Sequence, residues 1–184
     1  MLVTEYDVGP GAYGVAVAAD GAVWTSLTGR GELARVGPDG QVSRIRLDPG
    51  PSRPMVLARG PDDAIWFSLG DGRIGRTDPD GTVSSVPVLT PAGSPYGLCA
   101  GPDRTLWYTL MTADRIGRIS LDGGSEEFPL PACSMPALIT AGPDGGLAEE
   151  ISFPPGSEPH GIALGPGGSV WVALETGSLA HLTP

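Results

Sequence analysis

Residues 94–130 read SPYGLCAGPDRTLWYTLMTADRIGRISLDGGSEEFPL, and this stretch contains one complete repeating unit. It opens with a short apolar segment, turns at Gly-Pro-Asp, continues through a strand centred on Trp107, and ends with Arg-Ile-Gly-Arg and an Asp-Gly turn. Proline presets the dihedral angle of the first turn, and Asp-Gly is typical of tight hairpins. Aromatic and β-branched residues favour strands between these turns. The unit therefore predicts four short antiparallel strands.

The same pattern recurs along the chain, and its period indicates the architecture. Trp24, Trp66 and Trp107 follow one another at intervals of about 40 residues, which is the period of a four-stranded propeller blade. No segment with a helical period competes with this interpretation. We therefore predict an all-β fold, a β-propeller of four-stranded antiparallel blades that forms one domain over residues 1–184. The three complete units lie at about 10–48, 51–90 and 93–131.

The remaining units depart from the pattern. The fourth, at 134–155, begins with an apolar segment and a Gly-Pro-Asp-Gly turn but has no tryptophan strand, and its end at 147–154 resembles an outermost strand. The last unit, at 156–184, stops after three strands, whereas residues 2–8 have the character of the missing fourth. We expect about five units, the fourth incomplete, with both chain ends paired in one blade to protect the sheet edges. An open arc is the alternative.

Composition excludes several classes of function. The net charge is −10, and all 11 basic residues are arginine, which argues against a nucleic-acid partner. Without lysine there is no Schiff-base nucleophile, and without asparagine there is no N-glycosylation site. The N-terminus has no leader-like pattern and no apolar run reaches membrane-spanning length, so we expect a soluble, cytoplasmic protein without a membrane partner. Cys99 and Cys133 form no pattern and are interpreted as small apolar residues.

The strongest candidate for chemistry is Glu158-Pro159-His160-Gly161-Ile162, which contains one of two histidines. Histidine suits a general base because its pKa lies near neutrality, and carboxylates suit magnesium. On a strand, Glu158 and His160 would share one face, and we expect Glu175 on the neighbouring strand. The alternative is an inert histidine at the inner edge of a blade, with glutamates that only line the channel.

The sequence resembles a known family through four features. These are Glu-Pro-His-Gly-Ile at 158–162, Trp-Val-Ala-Leu-Glu at 171–175, and the repeated Gly-Pro-Asp-Gly and Arg-Ile-Gly-Arg segments. Together they resemble the streptogramin B lyases, also called virginiamycin B lyases. The resemblance implies a monomeric, seven-bladed propeller that uses Mg²⁺ and inactivates type B streptogramins, which are small cyclic depsipeptides, by opening their lactone through elimination. This chain is shorter than that seven-bladed pattern.

The resemblance also implies roles for individual residues. His160 becomes the catalytic base, Glu158 and Glu175 become magnesium ligands with Glu175 also at the substrate, and Tyr13 becomes a substrate-binding residue of the rim. The family has a second histidine in an Arg-Pro-His-Ala motif, which has no match here. The most similar segment is Arg-Pro-Met-Val at 53–56, where methionine replaces the histidine. The predicted function is a magnesium-dependent carbon–oxygen lyase. A non-catalytic or degenerate binding propeller and a propeller esterase or lactonase remain alternatives.

Overall fold

The computed structural model describes residues 2–48, 52–78, 80–142 and 151–183, and its strands form four antiparallel sheets. The first contains β1 (Ala12–Val17), β2 (Val23–Leu27), β3 (Glu32–Val36) and β4 (Val42–Arg46). The second contains β5 (Pro54–Arg59), β6 (Ile65–Leu69), β7 (Arg73–Thr77) and β8 (Val83–Pro87). The third contains β9 (Pro95–Ala100), β10 (Thr105–Leu110), β11 (Arg115–Ser120) and β12 (Ser125–Pro129). The fourth contains β13 (Pro159–Leu164), β14 (Val170–Leu174) and β15 (Ser178–Leu182).

Each strand pairs with its neighbour in the chain, so each sheet is a simple meander. A short 3₁₀ turn at Pro166–Gly168 precedes β14. The all-β fold and the four-stranded blades of the first three units are thereby confirmed. Within the described ranges, no helix is long and apolar enough to cross a membrane.

The core lies between consecutive sheets. One buried cluster joins the first two sheets around Trp24 and Phe67, and another joins the second and third around Trp66 and Tyr108. The innermost strands contact one another in succession, β1 with β5 and β5 with β9. The tryptophan strands therefore lie at the centre of the packed blades, and β6 is buried along its whole length.

Glycine in the inner strands permits this close packing. A Cβ atom on Gly14 would lie 2.3 Å from the carbonyl oxygen of Met55, and one on Gly97 would lie 2.4 Å from that of Ala137. Both distances are too short for any side chain. The glycine of the recurring Tyr-Gly pair is therefore required where the next inner segment of the chain packs against it.

The described residues of the fourth unit, 134–142 and 151–155, keep the place of a blade although they form no strand. Thr109 Oγ1 donates to the carbonyl oxygen of Ala137 at 2.6 Å, as Ser26 Oγ donates to that of Met55 at 2.6 Å. The predicted opening segment at 135–141 thus occupies the position of an inner strand, and none of the strands in the described part of the chain pairs with it. The predicted turn at 142–145 and outer strand at 147–154 fall mostly outside the described residues, and residues 151–154 form no strand.

The predicted pairing of the two chain ends in one blade is wrong. The last sheet has three strands, and residues 2–9 form none. The N-terminal segment instead lies against the first blade, where Arg44 Nε donates to the carbonyl oxygen of Val8 at 2.9 Å. Tyr6 lies beside Gly40 of the same blade, since a Cβ there would be 3.3 Å from the tyrosine ring. These local contacts hold the segment and replace the expected pairing.

The inner edges of the first and last blades are open. Val15 and Val17 on β1 are 66% and 57% exposed, and the residues of β13 are exposed or half-buried. A Cβ on Gly161 would meet only Ala173 of its own blade, at 3.4 Å. Across the described ranges, β13 and β1 share no packing like that between β1 and β5. The first and last blades are therefore not packed against each other in the way that β1 packs against β5, which agrees with the alternative expectation of an open arc of blades.

Candidate active site

A bulge recurs at the same position of each inner strand, and the candidate residues occupy it. The register shifts between residues 12 and 15 in β1, 54 and 57 in β5, 95 and 98 in β9, and 159 and 162 in β13. A bulge re-aims the side chain that it contains. The equivalent residues at these bulges are Tyr13, Met55, Tyr96 and His160. The blades therefore present different side chains from one repeated backbone feature.

Three of these side chains converge. Tyr13 Oη and Tyr96 Oη form a hydrogen bond of 2.6 Å, in which either hydroxyl can donate. The rings of Tyr96 and His160 lie edge to face, with centroids 6.4 Å apart and planes at 60°. Tyr13 and His160 are exposed, whereas Tyr96 is only 7% exposed. The structure thus brings two sequence-predicted site residues together through a third, buried residue.

Sequence reasoning missed Tyr96, although the signal was present. Its Tyr-Gly pair matches that of Tyr13 in the first unit. The structure shows that the repeat places the two tyrosines of the first and third blades in contact. Burial, reinforced by the hydrogen bond with Tyr13, raises the pKa of Tyr96 to about 12. Tyr96 is therefore protonated at neutral pH, and a hydrogen bond between two hydroxyl groups uses only one of their protons.

Glu158 and Glu175 are neighbours, but not in the predicted way. The backbone N–H of Glu175 donates to the carbonyl oxygen of Glu158 at 3.1 Å. Glu158 precedes β13 with a φ of 46°, and Glu175 lies in the turn after β14. The expectations that Glu158 shares a strand face with His160 and that Glu175 lies on a strand are therefore wrong. Ser94 has the same left-handed backbone at its equivalent position, so this conformation belongs to the blade entry.

The donor chemistry of the two glutamates fits magnesium. Both side chains are exposed and both residues lie at the end of the blade where β13 begins. Magnesium is usually held by one or two carboxylates and keeps several waters, so two carboxylates suffice. Among the residues that the structure describes, no group of three or more histidine, cysteine, aspartate or glutamate side chains is placed to hold a metal.

A cavity of about 240 Å³ lies beside His160. It separates the segment at 134–138 from the last blade, where β13 and β14 form its other wall. Its lining is largely apolar and includes Met135, Leu138, Phe153, Ile162 and Val172. An apolar part of a ligand would therefore find a complementary surface next to the histidine.

Comparison with known proteins places these features in a family. The sequence model of the Virginiamycin B lyase family matches residues 1–152, a region that ends before Glu158. A solved streptogramin B lyase structure superimposes with a TM-score of 0.90 and 29% identity, covering 98% of this chain and 68% of the other. Virginiamycin B lyase from Staphylococcus aureus gives 0.84 and 27%, covering 94% and 70%.

A catalytically inactive variant of the Staphylococcus aureus enzyme, solved with quinupristin, gives a TM-score of 0.84 and 25% identity, covering 99% of this chain and 73% of the other. A search of curated proteins finds no match. The family match extends over most of the sequence, and the superpositions extend over nearly all of it. The chain belongs to the virginiamycin B lyase family.

Proposed function

We propose that this protein is a carbon–oxygen lyase that opens the lactone of type B streptogramin antibiotics by elimination. The observation that carries the proposal is the convergence of His160, Tyr96 and Tyr13 beside an apolar cavity. A base, a hydroxyl donor and an apolar surface are the elements that a cyclic depsipeptide with an ester linkage requires. Membership of the family supports the same choice of substrate.

The proposed reaction is a β-elimination with His160 as base. The neutral imidazole takes the α-proton of the esterified threonine, and the electron pair of that C–H bond forms a double bond between the α- and β-carbons. The bond between the β-carbon and the ester oxygen breaks, and the carboxylate leaves with its electron pair. Because His160 is exposed, the substrate reaches it directly. Histidine is the side chain that most often serves as a general base in enzymes.

The developing negative charge needs stabilisation. Glu158 and Glu175 would hold magnesium, which when bound supplies a Lewis acid for the carbonyl oxygen. Tyr13 would bind the substrate through its exposed hydroxyl, which is free to donate when Tyr96 supplies the proton of their mutual hydrogen bond. The protein residues thus hold the substrate and remove the proton.

Mass spectrometry of the treated antibiotic tests this function. Elimination gives a ring-opened product of unchanged mass, whereas an esterase or lactonase product gains one water. We expect the isomeric product with magnesium, its loss in EDTA, and its loss in His160→Ala. His181→Ala is the matched control. His181 stacks on Trp171 in the body of the last blade, so this variant should retain activity. No ring opening in the presence of magnesium would refute the proposal.

A non-catalytic binding propeller is the second candidate. It is favoured by Met55, which occupies the bulge position that holds histidine in the last blade. Antibiotic binding without turnover, unchanged in His160→Ala, would support this alternative. For either function we propose a cytoplasmic monomer that acts on a small molecule, and light scattering during size-exclusion chromatography measures its mass.

A further inference from the structure

Tyr96 is the fixed member of the convergent group. The N–H of Gly97 donates to Thr109 Oγ1 at 2.9 Å, and that hydroxyl donates to Ala137 at 2.6 Å. The start of β9 is therefore tied to its own blade and to the next inner segment, and its residues 95–98 are buried. The Tyr96 side chain is consequently held by the core.

The backbone beside Tyr13 has equivalent ties, since the N–H of Gly14 donates to Ser26 Oγ at 2.9 Å and that hydroxyl donates to Met55 at 2.6 Å, but the Tyr13 side chain is not enclosed by the core. Its side chain belongs to β1, whose inner edge is open, and it is 56% exposed. The hydrogen bond to Tyr96 is the contact that ties its hydroxyl to the rigid part of the molecule. A flexible exposed side chain loses conformational freedom when it binds a ligand, and an existing anchor reduces that loss.

We propose that Tyr96 is a positioning residue that holds the Tyr13 hydroxyl and the edge of the His160 ring toward one ligand. This inference rests on the function proposed above, and it assigns a role that the sequence did not indicate. Because Tyr96 is buried, we assign neither its hydroxyl nor its ring a direct contact with the ligand. It acts by orienting an exposed donor and an exposed base that come from different blades.

The conservative variant Tyr96→Phe isolates this role. Phenylalanine retains the ring beside His160 and removes only the hydroxyl that anchors Tyr13. Ring opening should therefore continue with kcat/KM lowered about 3- to 10-fold, which corresponds to one neutral hydrogen bond. Tyr13→Phe should lose a similar factor. Because the two hydroxyls act as a unit, the double variant should be no slower than about the slower single variant.

Tyr108→Phe is the matched control. Tyr108 is also buried, and its hydroxyl donates to Glu127 at 3.1 Å in a contact between strands of the third blade. We expect this variant to be less stable but to keep kcat/KM within about twofold, since it touches no site residue. An unchanged rate for Tyr96→Phe, multiplicative losses in the double variant, or an equal loss for Tyr108→Phe would each overturn the inference.

Two further measurements separate this inference from the proposed lyase activity. An unfolding double-mutant cycle tests the contact itself: the effect of Tyr96→Phe on the unfolding constant should disappear in a Tyr13→Phe background, and persistence would overturn the inference. If the wild-type protein opens no antibiotic, the lyase proposal fails, and calorimetric binding of intact quinupristin decides about Tyr96. Weakening by about 3- to 10-fold in both single variants would support it, whereas unchanged or undetectable binding would overturn it.

Discussion

Replacing Glu127 with glutamine should loosen the junction between the second and third blades. Glu127 lies on β12, and its carboxylate accepts four hydrogen bonds. The N–H groups of Leu89 and Thr90 donate at 2.8 and 3.2 Å, and the hydroxyls of Thr90 and Tyr108 donate at 2.5 and 3.1 Å. Residues 89 and 90 belong to the connection from β8 to β9. One carboxylate therefore joins the outer strand of the third blade to the chain that enters that blade.

The expected loss follows from these four contacts. A hydrogen bond to a charged group contributes about 1.5–3 kcal/mol, and glutamine offers one acceptor oxygen while its amide group faces the remaining donors. Because Glu127 is half-buried, water replaces part of what is lost. We therefore expect the free energy of unfolding to fall by about 2 kcal/mol rather than by the sum of the contacts.

The pH dependence has a definite sign. Burial alone would raise the pKa of Glu127, but the hydrogen bonds from Thr90, Leu89 and Tyr108 outweigh burial and hold this pKa below its ordinary value of 4.5. The ionised form is thus favoured by folding. Its stabilisation is fully present above pH 4.5 and disappears as the pH falls through the lower folded-state pKa. The difference between wild type and Glu127→Gln should accordingly shrink in acid.

Urea unfolding at neutral pH and at about pH 3 measures both effects. The matched control is Glu126→Gln, the adjacent residue on the same strand, whose exposed carboxylate pairs with Arg118 at 2.8 Å. An exposed ion pair contributes at most about 1 kcal/mol, so this variant should change little. Equal losses for the two variants at neutral pH, or an undiminished Glu127→Gln loss in acid, would refute the reasoning.

The other predictions concern blade packing. Gly97→Ala should lower the free energy of unfolding by about 2–3 kcal/mol, since the added Cβ would lie 2.4 Å from the carbonyl oxygen of Ala137. Thermal unfolding measures this loss. The control is Gly161→Ala, which should lower the free energy of unfolding by less than about 1 kcal/mol. His181→Ala should cost about 1 kcal/mol by removing its stack on Trp171, where the ring centroids are 3.9 Å apart. His181→Arg should restore most of that loss in the same assay, because arginine covers the tryptophan in the second and third blades.

The blades were predictable because their signals are local. The turn residues, the strand residues and the period of Trp24, Trp66 and Trp107 all act within one unit, and hairpin pairing follows from them. The placement of the chain ends was not predictable in this way. It depends on single contacts such as Arg44 with Val8, which no repeat encodes and which act between segments that the pattern treats as separate.

The same distinction explains the site. Strand alternation failed for Glu158 because the chain is not yet a strand there, and the bulge that follows redirects His160. The bulge recurs in each inner strand, and in the first and third blades the glycine of its Tyr-Gly pair admits the next segment of the chain while the tyrosine points into the shared space. The backbone of each blade is thus nearly constant, and the side chain at the bulge carries the chemistry. A buried tyrosine in one blade can then orient an exposed tyrosine and an exposed histidine in two others.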